Sequence, residues 1–243
     1  MQTGGEAGAA GTSVGGETGV GGTSETGGAN GQAGTAGTAG TAGMGGGAGG
    51  SAAKGCGVGH VIISQVRSRG ASGAADEFVE LYNATSAAVT LDASWNLDAR
   101  SYIATSFAVR WAGTGKMVEP YGHFLIVGSS YTQSPSADAQ LASTGLSDAS
   151  SVRLLHNNTP VDVVCIAYSA SSTQALSDVS FQCPGAPANN VPHNDATAGN
   201  IDQSLVRKTG GGTARCLDTG DNANDFTALA PAAPRNLASM PTP

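Results

Sequence analysis

The residues of this sequence that could do chemistry are four histidines, four cysteines and one dense acidic segment. The histidines lie in separate segments with no shared spacing, at His60, His123, His156 and His193. No Gly-x-Ser-x-Gly, His-Glu-x-x-His or phosphate-loop motif occurs, so no nucleophile elbow, zinc protease site or nucleotide site is predicted. We therefore expect no catalytic residues and no cofactor, and histidines that serve as ordinary strand or surface residues.

The acidic segment is the richest polar cluster, and its candidate calcium ligands are Asp218, Asp221, Asn222 and Asp225. Oxygen ligands at short spacing suit calcium. The spacing nevertheless departs from the Asp-x-Asp-x-Asp-Gly loop, and no glutamate follows at its twelfth position. We favour a run of Asx-turns that fixes the last segment to the fold, with a weak calcium site as the alternative.

The four cysteines contain no Cys-x-x-Cys pair, so their spacing does not favour zinc. Their even number suggests two disulfides in an exported domain, and free buried thiols are the alternative. We predict a disulfide between Cys183 and Cys216, because both lie in loops that flank a strand at Ser204–Arg207. Loops can bring two Cα atoms to the ~5.5–6 Å that a disulfide needs. Cys56 and Cys165 are then the possible second pair.

The elements that must position these residues begin only after residue 55. Of the 37 glycines, 22 precede Cys56, and every aromatic residue follows Ala75. Residues 1–55 are therefore predicted to be a disordered Gly/Thr/Ala-rich arm, and residues 56–243 to be one folded domain. The arm is either a tether that holds the domain away from a surface or an inert spacer.

The charge of the chain argues against a nucleic-acid-binding protein, and its hydropathy argues against a membrane-spanning one. The net charge is −7 and no basic cluster occurs, which argues against nucleic-acid binding. The longest apolar run, at Val161–Ala167, is interrupted by Asp162 and is far shorter than the ~20 residues of a membrane helix. No signal peptide precedes the arm, so a lipid anchor would require an upstream signal that this sequence lacks.

Short segments of β type, separated by turn residues, follow one another after Gly59. Glu77–Tyr82 alternates, with Val79 and Leu81 on one face and Phe78, Glu80 and Tyr82 on the other. No stretch of about 12 residues has the 3.6-residue spacing of a helix. The pattern predicts an all-β sandwich or barrel with short helices or none. The predicted strands are 60–66, 77–82, 88–91, 95–97, 107–111, 123–127, 152–156, 161–167 and 204–207.

Residues 76–98 (DEFVELYNATSAAVTLDASWNLD) resemble the opening of the lamin tail domain. Later segments keep the order of that domain: Phe107 before residues 118–128, then residues 147–164, 204–208 and 218–226. The resemblance covers about residues 58–236 and implies an immunoglobulin-like β-sandwich. It departs from the family in the long loop at 169–200 and in the Ala-Pro-Ala-Ala-Pro ending at 230–234.

The resemblance implies a non-enzymatic structural or interaction module, extracellular or attached to the outer cell surface, on a flexible tether. Gly/Thr-rich arms of this kind resemble those of myxobacterial surface lipoproteins, and the implied partner is a protein or another cell-surface component. The alternative is an accessory binding module, for carbohydrate or protein, of a secreted hydrolase system. Tyr102, Tyr121 and Tyr131 are candidates for a binding platform, with core or turn positions as the favoured interpretation. A hydrolase is the least expected class.

Overall fold

The computed structural model describes residues 58–243, and this part of the chain is an all-β sandwich. Within it, thirteen strands form two main sheets and a two-stranded ribbon. The all-β fold class predicted from the sequence is confirmed. Cys56 and the predicted arm at 1–55 lie outside the described residues, so the domain boundary stays a prediction.

The strands and helices are short, as turn-punctuated segments predict. In chain order the strands are β1 (Val61–Arg67), β2 (Phe78–Asn83), β3 (Val89–Leu91), β4 (Trp95–Ser101), β5 (Ala108–Ala112), β6 (Lys116–Val118), β7 (His123–Val127), β8 (Ala139–Gln140), β9 (Ser150–His156), β10 (Thr159–Ala167), β11 (Ala188–Asn189), β12 (Ser204–Arg207) and β13 (Phe226–Leu229). The helices are α1 (Ala170–Leu176) and α2 (Asn222–Asp225), with single 3₁₀ turns at Val179–Phe181 and Thr197–Gly199. Within residues 58–243, no helix combines the length and the apolar character needed to cross a bilayer.

The first sheet has the order β13-β12-β1-β2-β7-β8 and the second has the order β11-β10-β9-β4-β5. Neighbouring strands are antiparallel except in the β7–β8 and β10–β11 pairs. β3 and β6 pair with each other and form a separate two-stranded ribbon. The main core lies between the two sheets and includes Val79, Leu81 and Phe124 from the first and Leu97 and Leu154 from the second.

The outer face of the first sheet is also buried, which explains why every residue of β1 and β2 is buried. Ile62 and Tyr82 pack there with residues 214–216, and Phe78 packs with Tyr131. The C-terminal segment covers the same face, since the Tyr82 hydroxyl donates a hydrogen bond of 2.6 Å to the Thr242 carbonyl. The alternation predicted for β2 is therefore correct, but both of its faces are interior.

The segment at 169–200 is not the structureless loop that the sequence suggested. It contains α1, which Ser169 caps by accepting a hydrogen bond from the Ser172 N–H, in a reciprocal capping box. Leu176 and Phe181 are buried in a small cluster with Ala167 of β10. This satellite core holds the insertion against the second sheet.

The predicted disulfide between Cys183 and Cys216 is wrong. Cys183 is bonded to Cys165 of β10, with Cα atoms 5.6 Å apart, so the possible Cys56–Cys165 pair is also wrong. The insertion folds back on its own sheet: the Ser151 hydroxyl donates 2.8 Å to the Phe181 carbonyl, and Ser151 is the strand partner of Cys165. Cys216 is itself disulfide-bonded and lies on the outer face of the first sheet, away from Cys183.

A candidate ligand-binding groove

A groove of about 640 Å³ opens at one end of the sandwich. Its walls come from the start of β1, the loop that leads into β3, the start of β4 and the β9–β10 hairpin. Its lining residues are Gly59, His60, Val61, Thr85, Ala87, Ala88, Val89, Thr90, Asp92, Trp95, His156, Asn157, Thr159 and Val161. The volume lies within the ~300–1,000 Å³ typical of small-molecule sites.

One wall is a pair of stacked rings. Trp95 and His156 are direct cross-strand partners in the β4–β9 pairing, so their side chains leave the sheet on the same face. Their ring centroids lie 4.4 Å apart with planes 14° from parallel. The two-residue turn after His156 is fixed by the Asn157 N–H, which donates 2.8 Å to the Ser94 carbonyl. The hairpin and the start of β4 thus form one rigid side of the groove.

The opposite wall is fixed by Asn83 at the exit of β2. Its side-chain amide donates to the Ala87 carbonyl at 2.8 Å and to the Glu119 carbonyl at 3.0 Å, while its oxygen accepts from the Thr85 N–H at 3.1 Å. Asx-turns lie at both Asn83 and Asp92, since the Ser94 N–H likewise donates 3.0 Å to Asp92. Residues 85–92 contain only the short strand β3, and these hydrogen bonds fix the rest of the segment.

The groove is lined by few charged side chains. Its lining contains one carboxylate, two imidazoles and no lysine or arginine. The hydroxyl and N–H of Ser94 lower the pKa of the exposed Asp92 carboxyl, so Asp92 is ionised at neutral pH. Hydroxyl groups from three threonines and the Asn157 amide complete the polar lining. Such a surface offers hydrogen bonds rather than ion pairs.

The four calcium candidates have local structural roles. Asp221 caps α2 by accepting from the Ala223 N–H at 3.0 Å, Asp225 accepts from the Thr219 N–H at 2.9 Å, and Asp218 accepts from the Gly220 N–H at 3.2 Å. Asn222 accepts from the Cys165 N–H at 2.8 Å and ties α2 to β10. Asp218 and Asp221 make the Asx-type contacts that we favoured, whereas Asp225 and Asn222 bond to residues further away in the sequence. Within residues 58–243, no three His, Cys, Asp or Glu side chains converge as metal ligands.

A hydroxyl, an imidazole and a carboxylate do come together under the C-terminal segment. His123 Nε2 lies 2.7 Å from Thr242 Oγ1, and His123 Nδ1 lies 3.2 Å from Glu80 Oε1 without the alignment of a hydrogen bond. Burial would raise the pKa of Glu80, but His123, Arg235 and Ser64 outweigh it and lower that pKa. Burial lowers the pKa of His123, so the pair is a carboxylate beside a neutral imidazole.

The contacts of this cluster hold the C-terminal segment against the first sheet. Arg235 NH1 donates 2.8 Å to the same Thr242 hydroxyl, and the Arg235 N–H donates 2.6 Å to Glu80. Arg207 lies on the other side of the sheet, where it binds Asp162 at 2.7 Å. Glu80 and Arg207 are thus both buried and paired, each with a different partner.

The remaining candidates are dispersed. Tyr102, Tyr121 and Tyr131 pack into three different clusters, so they form no common platform. His193, expected to be an ordinary strand or surface residue, lies in a loop and is fully buried, with its ring nitrogens 2.8 Å and 3.2 Å from the carbonyls of Gly199 and Gln203. Sequence reasoning did not find the groove, because its ring pair comes from two strands whose register only the fold defines. The signal that could have indicated it is the Asn157-Asn158 turn directly after His156.

No family model matches the chain, and no curated protein matches it. Among solved structures, the chain is similar to a crystal structure of a DUF4876 family protein from Bacteroides thetaiotaomicron VPI-5482. That match has 14% sequence identity and a TM-score of 0.46, and it covers 75% of this chain and 74% of the other.

Proposed function

We propose that this protein is a non-enzymatic interaction module, extracellular or attached to the outer cell surface, which binds its partner in the groove beside Trp95. The observation that carries the proposal is the groove itself: a concave surface of about 640 Å³ with a rigid ring wall and a hydrogen-bonding lining. Concave sites with a few convergent polar groups are where ligands bind.

Three observations support the non-enzymatic and exported parts of the proposal. The hydroxyl–imidazole–carboxylate cluster is buried and fastens the C-terminal segment, with Arg235 bound to the hydroxyl. The Cys165–Cys183 disulfide is typical of an oxidising compartment. The segments that resemble the lamin tail domain supply β2, β3, β7, β9, β12 and α2, with the first part of β4 and of β10, so the proposed lamin-tail-like identity rests on residues that build both sheets.

The experiment is sedimentation of the purified chain with the insoluble cell-envelope fraction of the producing organism. Ala88→Arg places a long charged side chain in the groove from an exposed position. Ala108→Arg is the matched control, since Ala108 is also exposed but lies on β5, outside the groove. We expect binding by the wild type and the control, and a loss of about tenfold in affinity for Ala88→Arg. Equal sedimentation of both variants would contradict the groove as the binding site.

A further inference from the structure

We infer that the groove binds a neutral carbohydrate, with a sugar ring against the His156 imidazole that stacks on Trp95, and with hydroxyl groups on the polar lining. This inference rests on the proposed function and names the chemical class of its ligand.

The ring pair provides the apolar contact that a sugar needs. The two rings are stacked nearly parallel, so each covers one face of the other. Trp95 is a core residue that is only 6% exposed, whereas His156 is half-buried, so the imidazole is the ring that meets the groove and Trp95 supports it from behind. The pairing of β4 with β9 fixes both residues, so this wall is rigid. The C–H face of a pyranose is flat and apolar, and aromatic rings bury such a face at low conformational cost.

The polar lining provides hydrogen bonds at positions around this wall. In the described part of the chain, Asp92 uses only its Oδ1 atom, to hold Ser94, which leaves Oδ2 available to accept from a ligand hydroxyl. Thr90, Asn157 and Thr159 are exposed and line the same space. A carboxylate, an amide and hydroxyls can together both accept from and donate to the alternating hydroxyls of a sugar.

The charges of the lining disfavour anionic ligands. Recognition of phosphate, carboxylate or sulfate groups uses arginine or lysine, and neither residue lines the groove. The ionised Asp92 would repel an anion further. The lining is thus complementary to an uncharged ligand with many hydroxyl groups.

An extended peptide fits the groove less well. A peptide would add as a strand to the free edge of β3, but β3 has three residues. The flanking Ala87 already has its carbonyl engaged by Asn83 and its N–H bonded to the Thr85 hydroxyl. Few backbone groups therefore remain for strand addition on this side.

The first test measures binding of the purified chain to an array of neutral oligosaccharides, followed by titration with the best one. We expect His156→Ala and Ala88→Arg each to weaken binding by about tenfold or more, and Ala108→Arg to change it by less than about twofold. Thermal unfolding of each variant shows whether it is folded. Binding that all three folded variants retain, or no binding to any neutral glycan, would overturn the inference.

The second test separates failure of this inference from failure of the proposed function. Envelope fragments are treated either with periodate, which cleaves vicinal diols, or with proteinase K, and the wild-type chain is then sedimented with each. Loss of binding after periodate alone supports the carbohydrate. Loss after proteinase K alone overturns it, but the proposed function stands if Ala88→Arg still weakens binding to untreated fragments by about tenfold. Absence of binding to untreated fragments contradicts both.

Discussion

At the scale of single residues, the domain buries an unusual share of its few charges. Charged residues make up 12% of the chain, yet Arg67, Glu80 and Arg207 are among its fully buried side chains. Arg67 pairs with Asp76, and its guanidinium lies 4.8 Å from the centroid of the Phe78 ring. Removal of one partner from such a pair is costly, because the remaining charge is left buried and unpaired. These residues therefore join layers of the fold.

Glu77 is a buried carboxyl whose burial is not offset by its hydrogen bonds and neighbouring charges, so we expect it to make the stability of the domain depend on pH. Burial raises its pKa to about 8, although the Leu146 N–H donates to it. The folded state thus binds a proton that the unfolded state has released, so the contribution of Glu77 to stability is most favourable below about pH 4.5 and is lost as the pH rises towards 8. We expect Glu77→Gln to remove much of this loss while keeping an acceptor for Leu146.

Thermal unfolding of both proteins at about pH 5 and about pH 8.5 provides the measurement. All other titrating groups are common to the two proteins, so the difference between them isolates Glu77. Identical changes in Tm for wild type and variant would show that Glu77 titrates normally.

At the scale of elements, alternation and turns were sufficient to locate nine strands, and the alternation of β2 also identified its core face. The missed strands, β6, β8, β11 and β13, have two to four residues, too few to show a period. The helix α1 was missed because it has seven residues and depends on a capping box and a satellite core. The groove and the disulfide could not be predicted, since both depend on which segments fold against the same sheet.

The β9–β10 turn carries a prediction about backbone conformation. Asn157 and Asn158 both have positive φ, 53° and 61°, as a two-residue type I′ turn requires. We expect Asn158→Gly to be neutral or slightly stabilising, and Asn158→Val to lower the free energy of unfolding by about 1–2 kcal/mol. Urea denaturation measures both, with Ser106→Val in an exposed loop as the control. A destabilised glycine variant would show that the turn has another geometry.

The Cys165–Cys183 disulfide closes the insertion into a loop, and we expect this bond to raise the free energy of unfolding. The two residues are 18 apart in sequence, and closing a loop of this length contributes about 3 kcal/mol in the chain-entropy model. We expect Cys183→Ser to lower the free energy of unfolding by about 2–4 kcal/mol. Peptide mapping without reductant should recover residues 165 and 183 in one cross-linked peptide. A peptide that links residues 183 and 216 would contradict the structure.

At the scale of the whole molecule, the domain has three layers rather than two. The second sheet packs on the inner face of the first, and the C-terminal segment packs on its outer face. Thr242 ties this third layer to the sheet through Tyr82 and His123, and it also bonds to Arg235 of its own segment. Thr242 is half-buried over the buried Glu80 carboxylate, so we expect its hydrogen bonds to contribute to the stability of the fold.

Thr242→Val tests this layer. The substitution keeps the size of the side chain but leaves the His123 ring nitrogen and an Arg235 N–H without a partner, so we expect a loss of about 1–3 kcal/mol. Thr213→Val is the matched control, because the Thr213 hydroxyl also bonds the chain end, to the Pro243 carbonyl, but from an exposed position. Equal effects of the two variants in urea denaturation would refute the assigned role.

The arm provides a prediction at the same scale. Residues 1–55 contain no aromatic residue and little apolar material, so they cannot offset an ordering cost of about 1–2 kcal/mol per residue. We expect the chain of residues 56–243 to unfold at the same temperature as the full chain. A clearly lower Tm after deletion would mean that the arm contributes to the fold.

The contacts of Thr242 also set the order in which the domain can be made. Its partners Tyr82 and His123 lie 160 and 119 residues earlier in the chain. A nascent chain that emerges from its N-terminus must hold β2 and β7 with their outer face open until residues 235–242 have been made. During synthesis, that open face would be the surface that a chaperone binds and a protease cleaves. Arrival of residues 235–242, rather than pairing of the central strands, is then the event that ends this vulnerability.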